Sequence, residues 1–119
     1  MIEFAKLSFG YRPEIISQKT LESIYRPIIA NKDLYKWNVK FPFNKNKIES
    51  YYALGWRIFK IKDAPNKELI FHGGYLKGIR TFIGFVPSKE ITIIILTNQN
   101  STFPGEYGFN IWAKLLDIK

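Results

Sequence analysis

The chain has 119 residues, a net charge of +8 and no cysteine, so there is room for one domain and no means of building disulfides, thiolate metal sites or a cysteine nucleophile. Hydrophobic residues at 46% and aromatics at 17% exclude compositional disorder and are enough for a core. No apolar run nears the roughly 20 residues of a membrane span, and no secretion signal is visible at the start of the chain.

In chain order, residues 2–9 read as the last turns of a helix, with Gly10 as its C-cap. Tyr11-Arg12-Pro13 is a turn. Ser17 is placed as the N-cap of a helix over 18–25, with Leu21, Ile24 and Tyr25 on one face and Pro27 ending it. Residues 32–50 read as a long ordered loop, broken by Pro42 and asparagines and anchored to a core by Trp37, Phe41 and Phe43. From residue 51 the pattern changes to strands. Residues 52–61 alternate in part, with Leu54, Trp56 and Ile58 on one face. Asp63-Ala64-Pro65-Asn66 reads as a turn, 68–71 as a short strand, and 79–86 as a strand ending at Pro87-Ser88-Lys89-Glu90. Residues 91–97 are nearly all β-branched, the pattern of a strand buried on both faces. A terminal helix over 103–118 places Phe109, Trp112 and Leu116 along one side, with Phe109 and Trp112 read as core. The expected class is α+β: a helical and loop region over 1–50, antiparallel strands over 51–98, and the closing helix.

The charge is uneven. Residues 32–67 hold nine basic and three acidic side chains, and the remainder is nearly neutral. Lysine and aromatics over 36–47 could suit single-stranded nucleic acid. However, fourteen of the eighteen basic residues are lysine, and eighteen Ile stand against two Val. That is the composition of A+T-rich coding, and no nucleic-acid motif accompanies it. A solvated lysine rim is the better reading, with no nucleic-acid partner.

His72 is the one histidine and cannot make a metal site without other ligands. It ends a strand beside Gly73 and Gly74, a costly pair in a sheet unless something must approach the backbone. The string Leu69-Ile70-Phe71-His72-Gly73-Gly74-Tyr75-Leu76-Lys77-Gly78, then 79–87 with its closing Pro87, then 91–98 ending Leu96-Thr97-Asn98, closely resembles the C-terminal part of serine β-lactamase-related proteins. These are class C β-lactamases, low-molecular-mass penicillin-binding proteins and their esterase relatives. Upstream, Tyr52-Ala53-Leu54-Gly55-Trp56 resembles the family's Tyr-Gly-Leu-Gly-Trp strand, and residues 11–17 resemble a segment of its helical region.

The resemblance implies an acyl-enzyme mechanism on β-lactam, ester or peptide substrates, with no cofactor or metal. His72-Gly73-Gly74 stands where the family has Lys-Thr-Gly or a His-x-Gly variant. His72 would be the polar group, Gly73 and Gly74 would keep the strand open, and the Tyr75 amide would be an oxyanion donor. A neutral His binds carboxylate less well than Lys, which favours an esterase or peptidase-like relative. The family's nucleophile lies in Ser-x-x-Lys. The six serines here, Ser8, Ser17, Ser23, Ser50, Ser88 and Ser101, are followed three places on by Tyr11, Thr20, Arg26, Ala53, Ile91 and Pro104. Tyr-x-Asn and Ser-x-Asn are absent too. No catalytic set is complete. The expectation is a C-terminal fragment, inactive alone, whose partner is the missing N-terminal part of the parent; the alternatives are half of a split enzyme, an interaction module, or least of all a nucleic-acid binder. The family's last strand pairs with an N-terminal strand, so 91–96 would be an uncovered edge prone to self-association.

Overall fold

In a computed structural model, residues 1–32 and 39–119 are described; Lys36 and Trp37 lie outside the described residues. Two helices, α1 (Ile2–Ser8) and α2 (Gln18–Tyr25), precede a six-stranded sheet, and α3 (Phe103–Leu115) closes the chain. The strands are β1 (Ile29–Ala30), β2 (Ile48–Tyr52), β3 (Arg57–Ile61), β4 (Ala64–Leu76), β5 (Ile79–Val86) and β6 (Ile91–Thr97). They lie in chain order, each antiparallel to the next, so β1 and β6 are the edges. This is the α+β arrangement expected, a sheet flanked by helices from the two ends of the chain. No helix of the described residues is long and apolar enough to cross a membrane.

Local signals account for the helix ends. The Ser17 hydroxyl accepts the Thr20 amide at 3.2 Å, capping α2. After α1, the Gly10 amide bonds the Leu7 carbonyl and the Tyr11 amide bonds the Lys6 carbonyl, the pairing of a Schellman cap. The helix α3 stops three residues earlier than expected. Asp117 takes a left-handed φ of 48°, its amide and that of Ile118 return to the Lys114 and Ala113 carbonyls, and Leu116 stays buried.

The sheet carries apolar side chains on both faces, giving three layers. Phe59, Leu69, Phe71, Phe82 and Ile93 pack beneath Phe109, Trp112 and Ala113 of α3, joined by Phe43. On the other face, Trp56, Ile58, Ile70 and Ile83 meet Ala5, Ile24 and Tyr25 of α1 and α2. The close approach of α3 to β5 requires Gly108, because a Cβ there would strike the Phe82 ring.

The strands depart from the expectation in four places. First, pairing begins before residue 51, at β1 and at Ile48, so the loop ends with the short 3-10 turn Lys45–Lys47. Second, residues 52–61 are not one strand. The Ala53 amide bonds the Trp56 carbonyl at 2.8 Å and Gly55 takes φ +80°, so β2 and β3 form a hairpin with Leu54 exposed at its tip. Third, the short strand expected over 68–71 is β4, which runs over Ala64–Leu76, so Ala64, Pro65 and Asn66 lie inside it, His72, Gly73 and Gly74 continue it in pairing with β5, and the turn is shorter and earlier. The β3–β4 register jumps from Lys60↔Glu68 to Ile61↔Ala64, and this irregularity holds Pro65 where the ladder needs no amide from it. Fourth, β6 is not buried on both faces. Ile93 is buried, but Leu96 is 59% exposed, because β6 is an edge with β5 on one side only.

Candidate functional site

The segment holding residues 72–75 is the far end of β4. Pairing with β3 stops at Arg57↔Phe71, while pairing with β5 runs on through His72↔Ile83, Gly73↔Phe82, Gly74↔Thr81 and Tyr75↔Arg80 to Leu76↔Ile79. Among the described residues, therefore, β4 from His72 onward has a strand on one side and an open edge on the other. An open edge offers backbone N–H and C=O groups to whatever lies alongside.

Beside this edge is a cavity of about 390 Å³. Phe71, Phe82, Phe109 and Pro104 form its apolar wall, and residues 72–75 line it together with Arg57, Arg80, Ser101 and Thr102. All four sequence-predicted positions thus come together at one cavity. Phe109, read as core, is 2% exposed and belongs to both the core and the wall.

The two glycines differ in their reasons. A Cβ on Gly74 would collide with the Thr81 hydroxyl on the paired strand, so Gly74 is demanded by packing. A Cβ on Gly73 would meet only the Thr81 carbonyl, at an ordinary 3.7 Å. Gly73 is exposed and leaves space on the cavity side. His72 is half-buried. Its pKa is lowered from 6.5, first by burial and then by the positive charge of Arg57; a hydrogen bond with the Gly73 backbone opposes both. The ring is therefore neutral near pH 7, a donor and acceptor and not a fixed charge.

Sequence reading missed the two arginines. Arg57 follows directly on the aromatic hairpin, and Arg80 lies opposite Tyr75 across a two-residue turn, so counting outward in both directions from Lys77-Gly78 would have found it. The Arg80 guanidinium is held from two sides: its Nε donates to Asn100 Oδ1 at 3.2 Å, and its Cζ lies 3.9 Å from the Tyr75 ring centre. Ser101 is the one serine among the described residues lining the cavity. Its Oγ is enclosed and makes no hydrogen bond, so no base activates it.

A family model described as Beta-lactamase matches residues 25–115. No curated protein and no solved structure matches the chain.

Proposed function

Since the chain belongs to the Beta-lactamase family, a serine hydrolase-like family, and the matched span includes residues 72–75, we propose that it supplies the third-motif strand of an acyl-transfer site. The observation that carries this is the open edge of β4 beside a 390 Å³ cavity. In that role the Tyr75 amide donates to the oxyanion of an acyl intermediate, and Gly73 gives the substrate access to the strand. His72 is a neutral polar contact. Absence of the family's lysine at this position points to ester or peptide substrates over penicillins. No cofactor is required.

The same reading makes the chain inactive alone. None of the six serines has Lys three places on, and Ser101 at the cavity has no base. An oxyanion donor accelerates nothing without a nucleophile to form the anion. The partner is a polypeptide carrying Ser-x-x-Lys, the remaining part of the enzyme. Purified chain is expected to hydrolyse a chromogenic cephalosporin and p-nitrophenyl acetate no faster than buffer, and to gain turnover when mixed with such a polypeptide. Turnover by the chain alone, abolished by a serine-phosphonylating reagent, would overturn the assignment. The unpaired length of β6 favours a second, non-catalytic reading, an interaction module that self-associates.

A further inference from the structure

A second cavity, of about 350 Å³, lies at the end of the sheet where β1 and β3 finish and β2 begins. Among the described residues it shares no lining residue with the cavity beside His72. Three separate segments each bring a lysine to it: Lys32 follows β1, Lys45 begins the 3-10 turn before β2, and Lys62 follows β3. Two backbone bonds gather these segments. The Asn31 amide donates to the Ser50 carbonyl at 2.7 Å, and the Lys62 amide donates to the Lys47 carbonyl at 3.0 Å. Asn31 and Asn46 add side-chain amides to the lining. Glu49 is the one carboxylate there among the described residues, and it accepts the Tyr51 hydroxyl at 3.1 Å. A lysine-rich composition raises the number of lysines, but it does not steer three of them from different segments to one cavity.

A second, independent observation is Ser50. Its neighbours on the same face of the sheet, Ile48 and Phe59, belong to the core under α3. Ser50 lines the cavity and is 6% exposed, and its Oγ has no hydrogen-bond partner. An enclosed hydroxyl without a partner carries a desolvation penalty that alanine would avoid. At the wall of a cationic cavity, such a hydroxyl is suited to donate to an anion's oxygen while the ammonium groups balance the charge. We propose that this cavity binds a phosphate group, inorganic or carried by a small soluble ester, with the Ser50 hydroxyl donating to one oxygen and Lys32, Lys45 and Lys62 supplying the countercharge. Phosphate suits the lining better than a carboxylate does. Three lysines and one glutamate leave a net charge of +2, and a phosphate ester near pH 7 carries about two negative charges on three strong acceptor oxygens. The site is separate from the acyl-transfer reading and does not depend on it.

Titration of the full chain with inorganic phosphate, followed by amide nuclear magnetic resonance with sodium chloride holding the ionic strength constant, tests the proposal. Saturable shifts clustered at residues 30–32, 45–46, 48–51 and 62 are expected, and glycerol 3-phosphate should move the same amides. Ser50→Ala should weaken binding about tenfold. In phosphate-free buffer the same change should raise the urea midpoint, because it removes the enclosed hydroxyl. A phosphate affinity that Ser50→Ala leaves unaltered would mean that the hydroxyl serves a water or nothing, and overturns the proposal. Lys62→Gln, at an exposed side chain, should weaken binding about fivefold and is the deciding probe if Ser50→Ala fails to fold. Shifts spread over all the lysines, or an equal response to chloride alone, overturn the site. Binding to vesicles containing phosphatidic acid, with none to the soluble phosphates, does so too, because it would place the charge on a surface and not in a cavity.

Discussion

His72 lines the cavity, and its surroundings set its charge. Burial and Arg57 both disfavour its charged form. Nuclear magnetic resonance titration should therefore give a pKa below 6.5, and Arg57→Gln should move it upward; an unchanged value would remove Arg57 from the account. The folded-state pKa lies below the unfolded one. The resulting stabilisation is thus complete above about pH 6.5 and is lost as pH falls through the folded-state value. It is small, because the ring is partly solvated. Gly74 is the second residue with a sharp consequence. Gly74→Ala should cost about 1–3 kcal/mol in denaturant unfolding through overlap with the Thr81 hydroxyl. Thr81→Ala in the same chain should recover most of that, since it removes the atom the new Cβ meets.

Among the elements, α1 and α2 cover Trp56, and Tyr25 links the two helices through a polar contact. Its hydroxyl donates to the Ser8 carbonyl, tying α2 to the end of α1. Tyr25→Phe should lower stability by about 1 kcal/mol, read from the urea midpoint. Burial raises the Tyr25 pKa to about 12, from 10.0. A raised value means that folding favours the protonated phenol, so this contribution is complete below pH 10 and is lost as pH rises through about 12. Alkaline unfolding of the wild type should be steeper in this range than that of Tyr25→Phe. The same elements mark how far the sequence could be read. Ser17 and Gly10 announced their helix ends because cap chemistry is local. Residues 72–75 were legible because Gly-Gly in a strand is unusual and the surrounding string resembles a family, although the strand runs on through both glycines. The hairpin at residues 53–56 was not, because Gly55 is one turn residue amid apolar neighbours. Pro65 misled for a similar reason: its tolerance inside β4 rests on a register shift in the partner strand, which is non-local. Arg57 and Arg80 joined the cavity only through strand pairing.

At the scale of the whole molecule, the net charge of +8 is the long-range term. Association of two such chains through apolar contacts would be opposed by repulsion that salt screens, so any self-association should tighten as salt is added. Binding to nucleic acid would respond oppositely, weakening as salt rises. Running sedimentation at low and at physiological ionic strength separates the two.

The inequality of the sheet's two edges carries one more consequence. A molecule with two sticky edges can be linked on both sides and grow into a fibre; in polymer language it is bifunctional. Here β1 is two residues long and β6 seven, and among the described residues β4 past Phe71 is paired on one side only, so the open backbone comes in stretches of different length and place. A strand that takes β6 therefore leaves the cavity-side edge of β4 as it was, and filling one does not fill the other.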